Sequence, residues 1–142
     1  MPASPPPSAA DQRRFDRAVR RFNDRAYFEA HEDWEDLWHE ALGSEKRWLQ
    51  GLIQVAAAFV HFERGFFDRG FAALMAEGVG RMAGYEGRTW HLDMTHLERV
   101  LAPWIRHAAR VRAGAAMGED APNKRPHLAF AADYEPDPLP ER

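Results

Sequence analysis

A histidine and two glutamates within five residues are the side chains of this sequence best suited to chemistry. His31, Glu32 and Glu35 follow the pattern His-Glu-x-x-Glu. Residues four apart on a helix project from the same face, so His31 and Glu35 can bind one divalent metal ion. Glu32 can then act as a general base toward a metal-bound water, and His61 is the candidate third ligand. This interpretation predicts a zinc, manganese or iron site and a metal-dependent hydrolase.

A second interpretation places the same side chains in a structural polar cluster. On a helical wheel, His31 and Glu35 fall in the middle of an apolar face made by Tyr27, Phe28, Trp34, Trp38 and Ala41. Burying a histidine and a carboxylate there costs several kcal/mol unless each has a partner. Partners are available one helix later, where three polar side chains lie within roughly 40° of one another on an otherwise apolar helix. If that edge faces His31, the cluster comprises His31, Glu35, Trp38, Gln50, Gln54 and His61; if it faces water, these residues are ordinary surface.

The opposite face of the same segment is acidic. Glu29, Asp33, Asp36 and Glu40 point away from His31 and are expected to form a solvated face. Residues 11–25 contain six arginines and three aspartates, whereas residues 26–42 contain six acids and no lysine or arginine. The acidic face is therefore also able to pair with the preceding helix.

The elements that position these residues are predicted to be helices throughout. No proline occurs from Ser8 to Ala102, and valine, isoleucine and threonine together number only 10. Both features favour helices over strands. Apolar spacing and capping signals predict five helices, over about residues 11–22, 27–41, 44–64, 68–82 and 95–112, the last opened by a capping box from Thr95 to Glu98. We expect an all-α fold, a compact antiparallel bundle of four to five helices with flexible N- and C-terminal tails.

The chain divides into a leader, one helical domain and a tail. Residues 1–10 are interpreted as a disordered leader, 11–113 as the domain and 114–142 as a Pro-rich extended tail, which Phe130 and Tyr134 can dock onto the core. The chain of 142 residues has no cysteine, which excludes disulfides and thiol catalysis. No apolar run is long enough to span a membrane, and no signal peptide is recognisable, so we expect a cytoplasmic protein. Its 19 basic and 22 acidic residues disfavour nucleic-acid binding.

Two motifs carry a resemblance to a known family. The first is Phe22-Asn23-x-x-x-Tyr27-Phe28-Glu29-Ala30-His31-Glu32-x-Trp34-Glu35-x-Leu37-Trp38. The second runs from Glu45-Lys46 through Leu49-Gln50-Gly51-Leu52-Ile53-Gln54 to Val55-Ala56-Ala57-Ala58 and His61. Together they resemble the bacterial and archaeal domain of unknown function family 309, most densely over residues 22–65. The resemblance implies a small all-α fold and a homodimer, and it implies no established activity.

The sequence therefore leaves two classes of function. The first is a non-enzymatic, homo-oligomeric binding or structural protein, with an unidentified protein or small molecule as its partner. It is supported by Trp48, which lies on an apolar side of the third helix that is either buried centrally or covered by a second copy. The second is the metal-dependent hydrolase. Whether the protein is an enzyme stays open at this point.

Overall fold

A computed structural model describes residues 6–85 and 90–138, and this part of the chain contains five α-helices. They are α1 (Ala9–Asn23), α2 (Tyr27–Glu40), α3 (Gly43–Glu63), α4 (Ala73–Met82) and α5 (Met94–Arg112). A π-helical segment, Phe67–Ala72, leads directly into α4, and one 3-10 turn, Gly118–Asp120, follows α5. The predicted all-α bundle is confirmed. The first five residues of the predicted leader and the last four of the predicted tail lie outside the described residues.

Two helix starts differ from the predicted ones because side chains upstream cap them. The Ser8 hydroxyl accepts a hydrogen bond from the backbone N–H of Asp11 at 3.1 Å, so α1 begins two residues earlier than expected. The Asp93 carboxylate accepts one from the backbone N–H of His96 at 3.0 Å and starts α5. The predicted capping box with Thr95 as the cap is therefore wrong. Pro103 lies inside α5 and does not delay its start.

The core is built from stacked aromatic rings around α3. The Phe15 ring lies 5.9, 6.1 and 5.2 Å from the rings of Trp34, Trp48 and Trp90. Trp48 is fully buried, and Tyr85 stacks on its indole at 5.7 Å. Of the two alternatives for Trp48, central burial is thus the observed one.

Two glycines let α3 and α4 approach at backbone distance. A Cβ atom on Gly78 would lie 2.7 Å from the Gly51 carbonyl oxygen, and a Cβ on Gly51 would lie 2.7 Å from that of Gly78. Neither position has room for a side chain, since real Cβ atoms do not approach other atoms this closely. The glycine pair therefore fixes how closely these two helices pack.

The segment after α5 is extended and packs against the helices. Leu128 is buried, and its backbone N–H donates to the Asn23 side chain at 2.7 Å. Phe130 forms an antiparallel bridge with Leu92, and the Tyr134 hydroxyl donates to the buried Asp16 carboxylate at 2.6 Å. The docking expected from Phe130 and Tyr134 is confirmed over the part of the tail that the structure describes. Within the described ranges, no helix is long and apolar enough to cross a membrane.

His107 is a histidine buried in an aromatic setting. It is 4% exposed, and its ring centroid lies 5.9 Å from that of Phe71 and 6.4 Å from that of Trp104. Neither ring nitrogen has a hydrogen-bond partner among the described residues. Burial lowers the pKa of His107 below its ordinary value of 6.5, with Asp120 opposing and Arg110 adding to the shift.

Replacing His107 with phenylalanine should remove part of the protein's acid sensitivity. Because the pKa of His107 is lower in the folded state, the unfolded chain binds the proton more readily. The stability contributed by the neutral ring is therefore full above about pH 6.5 and falls as the pH drops toward the folded-state pKa. Wild type should therefore lose more stability than His107→Phe between pH 7 and pH 5.5. Urea unfolding at both pH values measures this. His39→Gln, at an exposed position, should keep the wild-type loss, and an unchanged loss in His107→Phe would contradict the assignment.

Candidate functional site

The inward face of α2 is rotated from the predicted one. Its buried residues are Tyr27, Ala30, Asp33, Trp34 and Leu37. Phe28, predicted to be on the apolar face, is 48% exposed. The rotation is roughly 90°, close to the angular step of one residue. It carries His31 and Glu35 from the centre of the buried face to the edge of the exposed one.

Asp33 explains why the helix turns this way. Its carboxylate is 6% exposed and accepts hydrogen bonds from Arg17 at 3.1 and 3.2 Å and from Arg21 at 3.0 Å. Two guanidinium groups offset the cost of burying this charge. The prediction that Asp33 is solvated is wrong, whereas the predicted pairing with the arginine-rich first helix is confirmed. Arg14 and Asp36 form a further pair at 2.8 Å, on the exposed side.

His31 and Glu35 face each other on the outside of α2. The His31 Nε2 atom lies 3.9 Å from a Glu35 carboxylate oxygen, with 24% and 45% of the side chains exposed. The His31 ring also stacks on Phe28 at 5.8 Å, while its Nδ1 atom is buried without a hydrogen-bond partner in the described part of the chain. This geometry is a loose, partly solvated pair. It contributes less than about 1 kcal/mol to stability.

The neighbouring surface of α3 continues this exposed region. The Lys46 ammonium lies 4.2 Å from the centroid of the half-buried Trp38 ring, which joins the two helices at this surface. Gln50, one turn after Lys46, is also partly exposed. We call this region the outer face; it consists of Phe28, His31, Glu35, Trp38, Lys46 and Gln50.

Gln54, one turn after Gln50 on α3, is engaged by α4. Its amide donates to the Glu77 carboxylate at 3.1 Å, and its carbonyl oxygen accepts from Arg81 at 2.7 Å. The polar edge of α3 thus runs along the surface between α2 and α4. Of the two alternatives, an edge inside the protein and an edge at its surface, the structure has the second.

His61 is separated from His31 along the bundle. Tyr27 of α2 stacks on Phe59 of α3 with ring centroids 5.2 Å apart, so these two residues are level. His31 lies four residues from Tyr27 toward one end of the bundle, and His61 lies two residues from Phe59 toward the other end. At 1.5 Å per residue, the two histidines are offset by ~9 Å along the bundle. His61 is therefore displaced along the bundle from the His31 and Glu35 pair.

The surroundings of His61 belong to the π-helical segment instead. Its imidazole packs where a Cβ on Gly70 would come within 2.7 Å, and its ring lies 6.0 Å from that of Phe66. Glu32, the candidate base, is exposed. Across residues 6–85 and 90–138, no group of three or more His, Cys, Asp or Glu side chains is arranged to hold a metal ion.

Three residues that take part in these contacts were not predicted from the sequence. Glu77 and Arg81 hold Gln54, and Lys46 covers Trp38. Glu77 and Arg81 are four apart on α4, a spacing that signals one shared face but not the helix that this face meets. Lys46 carries no comparable signal, because a lysine near the start of a helix is ordinarily solvated.

The comparison with known proteins agrees with the two sequence motifs. Residues 15–72 match the family model described as Domain of unknown function (DUF309). None of the curated proteins compared with the chain matches it. The matched segment holds the second part of α1, all of α2 and α3, and the π-helical segment, and so includes the outer face. The resemblance inferred from the two motifs is confirmed over residues 15–72.

Proposed function

We propose that the protein is a non-enzymatic, homo-oligomeric binding protein, and that the outer face joins two copies of the chain. The observation that carries this proposal is Phe28, a large aromatic side chain that is 48% exposed on the helix that also carries the half-buried Trp38. Exposed aromatic side chains are enriched at protein interfaces.

The spacing of the α2 residues suits a helix that packs against another helix. Phe28, His31, Glu35 and Trp38 are separated by three, four and three positions, which is the spacing of a coiled-coil seam. A seam of this kind runs straight along a helix and faces a single partner. From Phe28 to Trp38 the seam covers ten steps along α2, a length of about 15 Å.

The charges on the outer face make it complementary to itself. Lys46 is positive, and Glu35 is negative. In a two-fold dimer each residue of one copy meets a counterpart on the other, so a face with both signs can pair with itself. A standard interface covers about 800 Å² per partner, close to one tenth of this chain's 8458 Å² accessible surface.

The competing proposal is the metal-dependent hydrolase, with His31, Glu35 and His61 as ligands and Glu32 as the base. It requires His61 to cross the ~9 Å offset along the helices. The geometry therefore favours the dimer.

The test of self-association is the variant Phe28→Arg. A guanidinium at position 28 of the seam is buried without a partner if two copies meet there, and such a change costs several kcal/mol of binding. We expect at least a hundredfold rise in the dimer dissociation constant, measured by sedimentation equilibrium. Met117→Arg is the matched control, because Met117 is 64% exposed on the segment after α5. A monomeric wild-type protein, or equal effects of the two variants, would contradict the proposal.

Metal content separates the two candidate functions. Elemental mass spectrometry is performed on the protein before and after incubation with zinc, manganese and iron, alongside His31→Ala and Glu35→Ala. The binding-protein proposal expects no stoichiometric metal in any sample. A metal retained at one per chain by wild type and lost in both variants would establish the hydrolase-type site and overturn the non-enzymatic assignment.

A further inference from the structure

A concave cleft opens at the end of the bundle where α1 leads into α2. Its volume is about 870 Å³, and its walls come from that connection, the first half of α5 and the segment 122–127. Five of its lining residues are basic or histidine and none of the described lining residues is acidic: Arg25, His96, Lys124, Arg125 and His127.

Two of these side chains are held in place by neighbours. Arg125 donates twice to the Glu63 carboxylate, at 2.8 and 3.1 Å, and its guanidinium lies 4.8 Å from the centroid of the Phe62 ring. The His96 imidazole is fixed between the His127 carbonyl oxygen and Arg99, at 2.9 Å from each. These contacts make the wall rigid, and Glu63 offsets the charge of Arg125.

The other basic side chains keep their donors free. Arg25 and Lys124 are exposed at the mouth of the cleft, and neither side chain has a hydrogen-bond or ion-pair partner in the part of the chain described by the structure. The imidazole of His127 is likewise uncommitted. The cleft therefore presents two uncompensated positive charges and one further ring donor to whatever enters it.

This lining is not typical of the chain. The whole sequence has a formal net charge of −3. A second cleft of about 740 Å³, at the other end of α2, mixes acids and bases, with Asp11, Asp36 and Glu40 opposite Arg14 and His39. A solvated charged surface would be expected to resemble this second cleft. The absence of acids from the first one instead marks a place where negative charge is favoured.

The remaining walls are apolar and rigid. Val100, Pro103 and two further prolines, Pro122 and Pro126, line the cleft. The segment is anchored because the Trp104 indole N–H donates to the Lys124 carbonyl oxygen at 3.1 Å. A site with fixed apolar walls and a few cationic donors suits a ligand that has both an anionic group and a flat apolar part.

We propose that this cleft binds a small phosphorylated molecule, with Arg25 and Lys124 on the phosphate and the proline-lined wall against a ring of the ligand. Guanidinium and ammonium groups are the side chains that bind phosphate oxygens most strongly. The volume of the cleft falls within the range of about 300–1,000 Å³ usual for small-molecule sites. The cleft and the outer face lie on different elements, so this proposal and the dimer proposal succeed or fail separately.

The test is isothermal titration calorimetry of the full chain at constant ionic strength. The probes are adenosine monophosphate, adenosine, inorganic phosphate and a short single-stranded oligonucleotide. We expect the monophosphate to bind more tightly than either adenosine or phosphate. Lys124→Gln and Arg25→Asn should each weaken its binding roughly tenfold, the effect of losing one charge-assisted contact. Asparagine is chosen because Arg25 has a φ of +66°, which asparagine tolerates.

Arg13→Gln is the control, since Arg13 is exposed at the opposite end of α1 from Arg25. It removes the same charge and should leave the affinity unchanged. The proposal is overturned if no phosphorylated probe binds, if adenosine binds as tightly as its monophosphate, or if the control weakens binding as much as the cleft variants. Binding of the oligonucleotide without binding of the monophosphate would also overturn it and would assign the cleft to nucleic acid.

Discussion

Replacing Gly78 with valine is expected to lower the free energy of unfolding by about 3 kcal/mol. The new Cβ would lie 2.7 Å from the Gly51 carbonyl oxygen and 3.1 Å from both the Gln54 Cβ and the Val55 nitrogen. Two of these three atoms are backbone of α3, so no side-chain rotation can make room and the helices must separate. Urea unfolding followed by circular dichroism measures the loss.

Gly80→Ala is the matched control on the same helix. A Cβ at Gly80 has no other atom within 4 Å. Alanine there should stabilise the protein by up to about 1 kcal/mol, because it restricts the unfolded chain and favours the helix. The two substitutions thus have opposite expected signs. A Gly78 variant as stable as wild type would mean that α3 and α4 are not held at backbone distance.

The glycine contact also determines the surface on which Gln54 lies. Gly78 packs against the stretch of α3 between Gly51 and Val55. The carboxylate of Glu77, the residue before Gly78, accepts a hydrogen bond from the Gln54 amide. Separating the helices would therefore release the polar edge of α3 as well as expose apolar surface. The sequence does not predict this contact, because a glycine inside a helix indicates close approach but not which helix approaches.

The helices themselves were largely predictable from local features. The proline-free stretch and the apolar spacing locate α1, α2 and α3 to within a few residues of their observed bounds. These features depend on residues that are close together in the sequence, so the sequence alone is enough to detect them. The start of α5 was misplaced because two competing caps, Asp93 and Thr95, stand close together, and only the Asp93 side chain reaches the free N–H.

The candidate site was less predictable because its environment depends on contacts between elements. The helical wheel placed Asp33 on the solvated face, but Asp33 is buried, since Arg17 and Arg21 of α1 both reach it. With Asp33 on the inward side of α2, Phe28 lies on the exposed side. Similarly, Gln50, Gln54 and His61 share an edge on the wheel, yet the wheel does not show which neighbour each one meets.

In the segment after α5, too, local structure is predictable and docking is not. Its prolines predict the lack of a long helix, and over residues 113–138 the structure has one 3-10 turn. Where it docks depends on partners far away in the chain, such as Asn23 for Leu128 and Asp16 for Tyr134. The cleft that we propose as a ligand site combines residues from this segment with Arg25 and α5. No local sequence pattern predicts that these residues lie together.

Replacing Trp104 with alanine is expected to have the largest effect, a loss of about 4 kcal/mol in the free energy of unfolding. The indole is 1% exposed, and its ring lies 5.0 Å from that of Phe59, 5.3 Å from that of Phe62 and 5.9 Å from that of Phe71. Removing it leaves a cavity lined by rings of α3 and of the π-helical segment, which cannot close without moving α5. Urea unfolding compares the variant with wild type.

Trp104→Phe separates the packing of this residue from its hydrogen bond. Phenylalanine keeps most of the buried ring but cannot donate to the Lys124 carbonyl oxygen, which the indole N–H reaches at 3.1 Å. The expected loss of stability is about 1–2 kcal/mol, the cost of a smaller ring and one unmade hydrogen bond. Because the lost bond anchors the segment that carries Lys124, this variant should also weaken the binding of adenosine monophosphate. If Trp104→Phe destabilises the protein as much as Trp104→Ala, the hydrogen bond rather than the aromatic core is the main contribution of Trp104.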